Sequence, residues 1–401
     1  MAFVTPAEAR GSLGFMGNYA ELTIDRGQIE MTDFGRHSDL RDAGDVDDWR
    51  VDMPDEFVDR YGRVGFANRP GGVASRQIWQ LVTMPPHFPS TAEAIAQLYP
   101  QSGGREIDGV LALDPKVVAA LLEFTGPITT ADVDPGDEEF DTTGLPDVLD
   151  ADNAEEFLLF DQYLRFEDDN PDRIDALEVI SLETVDRLLA GALPGPTELG
   201  RVMAPLAGDR HLAAWMVDTD VQTLVETMGL AHALPEPATG GIAVAFNNGS
   251  GNKIETFLDA NITYRRQLDP DTGFLAGELI VELINGAPAS GLPRYVIGNS
   301  VGLPAGTNRL LTALYAPFVY NSAALDGEPI EMVVDTEQGL TVMSTTVDIP
   351  PGGTRTLEIT FTGTLDRRGD DDVETVEPAV LLPNLAIPPT FTLETIPGSS
   401  G

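Results

Sequence analysis

The pattern of the chain changes once, near Pro235, Pro237, Gly240 and Gly241, and that change constrains its fold more than any other feature. Before it, short apolar runs alternate with helix-like segments. After it, "IAVAFNN", "KIETFLDANITYRRQLD", "FLAGELIVELING", "NRLLTALYAPF", "EPIEMVVDTEQGLTVMSTTVDI" and "TRTLEITFTGTL" follow one another with turn residues between. Helix and strand in alternation build an α/β layer. Short strands at even spacing, separated by Gly and Pro, build a sandwich. The sequence therefore predicts an α/β domain, a mixed sheet with flanking helices, over 1–237, and an all-β immunoglobulin-like sandwich over 238–365. Residues 366–401, acidic and then rich in proline, read as a flexible tail.

Within the first part, "FMGNYAELTI" and "QIEMTDF" flank "DRG" and read as a hairpin turning at Gly27. "IDGVLALD" reads as a buried strand. "PKVVAALLEFT" reads as a helix opened by Pro115 and closed by Gly126. Ser90 and Glu93 have the spacing of a capping box for "FPSTAEAIAQLY". Asp152 is placed to cap "NAEEFLLFDQYLRF". "DALEVISLETVDRLLAGAL" carries Leu177, Ile180, Val185, Leu188 and Leu189 near one helical stripe.

Charge narrows the function. There are 65 acidic residues against 24 Lys and Arg, a formal net charge of −41. Such a surface repels nucleic acid and anionic lipid, so nucleic-acid binding is not expected. The chain has no cysteine. Disulfides, thiolate metal sites and cysteine nucleophiles are thereby excluded. His37, His87, His211 and His232 are scattered without metal-ligand spacing, so no metal site is expected from spacing.

Two features remain. Gly11, Gly14 and Gly17 recur every third residue. Nothing strand-like is read before them, so they match neither the dinucleotide fingerprint nor the P-loop, and a tight strand-entry turn is the simpler reading. Nine arginines fall within the first 76 residues, among them Arg10, Arg36, Arg69 and Arg76. Guanidinium forks match phosphate oxygens, which makes these four candidate phosphate ligands. The alternative is that they pair with neighbouring carboxylates.

Several separated stretches resemble one family. "PAEARGSLGFMGNYAELTIDRGQIEMTDFGR", "REIDGVLALDPKVVAALLEFTGPI", "DADNAEEFLLFDQYLRF" and "NNGSGNKIETFLDANITYRRQL" look, in order and spacing, like the bacterial envelope family catalogued as domain of unknown function four-zero-one-two. The resemblance runs over most of 5–365. It implies an extracytoplasmic protein anchored by membrane helices upstream, with a strand before the Gly-rich turn. By comparison this chain reads as missing that first strand and the anchor, so membrane attachment is expected only through a segment absent here. "IDGVLALDPKVVAALLEFTGPI" is more distantly similar to LytR-CpsA-Psr phosphotransferases. That likeness implies a glycopolymer on a polyprenyl-phosphate carrier as partner, arginines on its phosphates, and magnesium as the cofactor to consider. It makes Asp33 and Asp39 the candidate catalytic carboxylates. The family's Arg-Asp pair is Arg36-His37 here, and an Asp after the first arginine is replaced by Gly11 or Ser12. The two readings left are phosphate-linked glycopolymer binding or transfer, and a non-catalytic structural or binding module of the envelope.

Overall fold

The computed structural model describes residues 1–26, 28–45, 49–62, 77–129, 144–166, 183–184, 187, 194–269, 271–365 and 377–397. The chain divides into two compact units. One is Met1–His232 with Leu292–Val296, the other Ala233–Gly291 with Ile297–Gly401. An α/β unit is thus followed by a strand-rich one, as the change of pattern predicts.

In the first unit β1 (Ala2–Thr5), β2 (Phe15–Asp25), β3 (Gln28–Arg36), β4 (Gly109–Leu113) and β7 (Leu212–Met216) form a sheet in the order β3-β2-β1-β4-β7. The small pair β5 (Ile128–Thr129) and β6 (Val148–Leu149) stands apart. Contrary to the reading that nothing strand-like precedes the Gly-rich turn, Ala2–Thr5 forms a strand there. It lies in the middle of the sheet, antiparallel to β2 and parallel to β4. Four residues are too few to show a period of two against a polar flank, which is why the sequence hid it.

Helices α1 (His37–Ala43), α2 (Asp55–Tyr61), α3 (Ile78–Leu81) and α4 (Phe88–Leu98) contribute to a core on the sheet containing Val4, Met16, Leu40, Trp79, Phe88 and Val110. Helix α5 (Pro115–Thr125) starts where predicted. Asp114 caps it, its Oδ1 accepting from the amides of Lys116 at 3.0 Å and Val117 at 3.4 Å. Ser90 does not cap α4. His87 holds the cap position, and Ser90 lies buried within the first turn. A burial requirement thus overrides the local capping pattern. Asp152 does not cap the next helix either. Asp150 Oδ1 instead accepts the amides of Asp152 and Asn153, ahead of α6 (Ala154–Glu156). A π-helical turn over Phe157–Asp161 joins α6 to α7 (Gln162–Arg165). Helices α8 (Pro196–Gly208) and α9 (Thr219–Thr227) flank β7. Most of the expected helix over 175–193 lies outside the described residues, as do Gly27, Arg69 and Arg76.

The second unit carries two sheets. One contains β8 (Ile242–Asn248), β11 (Asn308–Ala316), β14 (Val333–Glu337), β15 (Leu340–Ile349) and β17 (Val380–Leu381). The other contains β9 (Leu258–Leu268), β10 (Phe274–Asn285), β12 (Val319–Leu325), β13 (Glu328–Ile330), β16 (Thr354–Thr364) and β18 (Thr390–Pro397). Strict alternation of buried and less buried residues along β9 and β10 is what the sequence showed. The flexible-tail expectation is corrected for the described part of 366–401. β18 pairs parallel with β9 from Thr390 to Pro397, and β17 pairs with β8. Proline ends β18 at an edge of the sheet, where a missing donor costs nothing.

The glycines that open the β1–β2 connection are explained by packing. A Cβ on Gly11 would stand 2.7 Å from the Pro86 nitrogen and nearer still to the Met84 carbonyl. Gly14 sits at φ +133° against the Thr5 backbone. These neighbours are backbone and cannot move aside. Gly11→Ala is expected to destabilise the protein by about 1–3 kcal/mol through overpacking. Denaturant unfolding checks this, and an unchanged midpoint would contradict the packing.

Candidate functional site

Two places in the α/β unit gather chemically capable side chains. The first is the end of the sheet where β1 and the parallel β4 finish, the position at which α/β sheets bind ligands. The β1–β2 connection folds in here as a buried segment. Arg10 is only 4% exposed, and its Nη2 meets Glu8 Oε1 at 2.5 Å. Its Nη1 donates to the Ala9 carbonyl at 3.0 Å, and its guanidinium lies 5.8 Å from the Phe15 ring centroid. The Ser12 amide donates to the Thr83 carbonyl at 2.9 Å, and its hydroxyl reaches Thr91 Oγ1 at 3.0 Å. Arg210 Nη2 donates to the Gly11 carbonyl at 3.2 Å. His211 Nδ1 meets Asp114 Oδ2 at 2.6 Å. His232 Nε2 bonds the Leu212 carbonyl at 2.8 Å.

Backbone strain collects at the same end. Leu13, Arg210 and His232 have φ of 63°, 65° and 43°. Such angles cost a non-glycine residue free energy and persist only where packing over-determines them. Burial draws Arg210 down to about 10, so it stays cationic at neutral pH. Burial also lowers His87 to about 4. His232 falls to about 4, first by burial and then by the nearby Arg210 charge. Both imidazoles are therefore neutral near pH 7.

Arg36 ends β3 at this end of the sheet. The adjacent His37 ring stacks edge-on to Phe15, 5.0 Å between centroids, so Arg10 and His37 both lie against the Phe15 ring. Asp39 is engaged locally: its Oδ2 accepts the Arg36 amide at 2.8 Å as α1 begins. Asp33 stands elsewhere on β3, where Oδ2 accepts the Tyr19 hydroxyl at 2.9 Å and Oδ1 the Phe34 amide at 3.0 Å. Among the described residues no group of three or more His, Asp or Glu side chains is placed to hold a metal.

The second place is a cavity of about 400 Å³. Sheet residues Ala2, Met16, Tyr19 and Val110 line it, faced by Leu40, Trp79, Ile95 and Tyr99 from the helices and the end of α4. Several of its polar groups belong to one network. Glu21 accepts Arg105 Nε at 2.8 Å, the Thr32 hydroxyl at 2.6 Å and the Tyr99 hydroxyl at 3.0 Å. The Tyr99 hydroxyl also reaches Asp33 at 3.4 Å, and the Tyr19 and Tyr99 rings meet edge-on at 5.6 Å. Burial raises the Glu21 carboxyl, but the hydrogen bonds from Arg105, Thr32 and Tyr99 outweigh it and hold the group below its ordinary value. Both tyrosines are pushed up, by burial first and then by Asp33 for Tyr19 and Glu21 for Tyr99. Sequence reasoning missed Glu21, Tyr99 and Arg105. Arg105 lies 84 residues from Glu21, and no local pattern links them.

With this geometry in place the chain can be compared with known proteins. Residues 1–163 match the model of the family described as "Protein of unknown function (DUF4012)". The DUF4012 region holds β1 to α6, the candidate cavity apart from Met216, and the Glu8–Arg10 pair. No curated protein matches the chain. Among solved structures, an M1 zinc metallopeptidase from Deinococcus radiodurans with a Tyr-Ser-Ala substrate is 16% identical at a TM-score of 0.17. That alignment covers 28% of this chain and 22% of the peptidase. A putative nutrient binding protein from Legionella pneumophila is 6% identical at 0.20, covering 31% of this chain and 43% of that one. Likenesses of this size carry no argument.

Two outcomes follow from the buried groups. Glu8→Gln leaves the Arg10 guanidinium buried beside a neutral amide and is expected to cost about 3–5 kcal/mol, read by chemical denaturation. His87 and His232 have folded values below the ordinary 6.5, so the unfolded chain binds more protons as the pH drops. Their stabilisation is complete above about pH 6.5 and is lost toward pH 4. Each pH unit of that window removes at most about 1.4 kcal/mol per histidine. Replacing both by Gln should flatten the stability profile over this range.

Proposed function

We propose that this chain is a non-catalytic binding module of the bacterial cell envelope, whose α/β unit takes the apolar part of a ligand between its sheet and helices. The cavity carries this reading. Ligand sites are concave, mostly apolar, and fixed by a few convergent polar groups. Here Met16, Leu40, Trp79 and Ile95 supply the apolar wall, and Tyr19, Tyr99, Glu21 and Arg105 converge at its rim. The envelope setting rests on the family resemblance.

A second reading, binding or transfer of a phosphate-linked glycopolymer, is favoured by Arg10 and Arg36 at the end of β1 and β3. Arg10 is engaged by Glu8 and Asp39 accepts the Arg36 amide at the start of α1, so these two side chains serve the fold. A phosphate would have to compete with a buried carboxylate for the Arg10 fork.

Trp79 lines the cavity and reports on its contents. Titration with an uncharged polyprenol is expected to shift the tryptophan emission, and Leu22→Trp, which fills the rim, to weaken binding at least about tenfold, equal to about 1.4 kcal/mol. Absence of any chain-dependent binding would sink the cavity reading. Transfer from a polyprenyl-pyrophosphate glycan that needs magnesium and is lost in Arg36→Gln would establish the second reading instead.

A further inference from the structure

The cavity also speaks about the head group of its ligand, and this step rests on the binding reading above. The carboxylates of Glu21, Glu106 and Asp108 line it, and Asp33 joins them through the two tyrosine hydroxyls. The one guanidinium in the lining, Arg105, is spent on Glu21. Three lining carboxylates and the neighbouring Asp33 stand against Arg105 and the Met1 amino group, which burial lowers to about 6, and leave a negative rim over an apolar interior. An anionic head such as a phosphate would be repelled there, and the low-dielectric wall strengthens that repulsion.

The aromatic groups add a second, independent preference. Tyr19 and Tyr99 form an edge-on pair at 5.6 Å and both line the cavity. Each hydroxyl donates to a carboxylate: Tyr19 to Asp33, and Tyr99 to Glu21 and Asp33. A hydroxyl that donates to an anion makes its ring more electron-rich, and the face of an electron-rich ring attracts cations. Rings and carboxylates together have the composition of an ammonium cage. Both tyrosines hold their protons well above the ordinary phenol value, through burial first and then through Asp33 for Tyr19 and Glu21 for Tyr99.

We infer that the cavity takes an amine-bearing amphiphile: an apolar chain against Met16, Trp79 and Val110, ending in a cationic nitrogen beside Tyr19, Tyr99, Glu21 and Asp33. The net charge of the chain, −41, draws cations to the whole surface. Selectivity must therefore be read against that background.

Tryptophan fluorescence and calorimetry on the full chain, below micelle concentrations, compare three ligands with the same dodecyl chain: trimethylammonium, phosphate and maltoside. The ammonium is expected to bind about tenfold or more tighter than the maltoside, a difference of about 1.4 kcal/mol, and the phosphate weakest. Asp33→Asn, at an exposed position, should lose most of that preference. Arg105→Gln should increase it. Asp220→Asn with Glu226→Gln, which removes two charges from exposed α9, should leave it unchanged. Equal affinity for ammonium and maltoside overturns the head-group assignment while the cavity reading stands. Preference for the phosphate overturns it as well. If no dodecyl ligand binds in a way that Leu22→Trp blocks, both readings fall together.

Discussion

Four residues, Ala2–Thr5, hold the α/β unit together. A strand paired on both sides must satisfy its backbone groups through its neighbours, and β1 does so with β2 on one side and β4 on the other. It joins an antiparallel hairpin to a strand more than a hundred residues away. Everything placed near it follows. The chain that leaves Thr5 must turn at once and pass under Met84–Pro86, and only glycine fits at positions 11 and 14. The turn buries Glu8, Arg10 and Ser12. Each then finds a partner within the fold, as the cost of an unpaired buried polar group demands.

Burial changes what the arginines mean. In a protein of net charge −41 a guanidinium could serve an anionic ligand or neutralise a neighbour. Arg10 bonds Glu8, Arg210 bonds the Gly11 carbonyl, and Arg105 bonds Glu21. Their positive charge is used to close the structure. What remains at the cavity rim is the surplus of carboxylates, set on aromatic rings over an apolar wall. That surplus moves the functional reading away from phosphate transfer and toward binding.

Much of the fold was legible because its signals are local. The β2–β3 hairpin, β4, α5 with its closing Gly126, and the alternating strands β9 and β10 all carry a period that matches their environment. Other elements carried none. β12 has one buried position in seven and shows no clean alternation. β17 and β18 follow an acidic run and contain or adjoin prolines, so their composition reads as tail. They become strands only because β8 and β9 offer them free edges. Ser90 had the spacing of a cap, but its side chain was drawn into the core. Of the candidate phosphate ligands, Arg10 lies over the Phe15 ring and is paired with Glu8. Of the candidate carboxylates, Asp39 bonds the Arg36 amide and Asp33 lies by the cavity with Tyr19.

The sequence by itself determined the two-part architecture, the acidic surface and the absence of thiol chemistry, because composition and short-range periodicity suffice for these. Only the tertiary structure decided that Gly11 and Gly14 are packing positions, that Arg10 is an internal ion-pair partner, and that Glu21, Tyr99 and Arg105 form one network. Those facts depend on contacts between residues far apart in the chain. Such contacts are set by how a buried central strand brings its neighbours together, which no local window of sequence records.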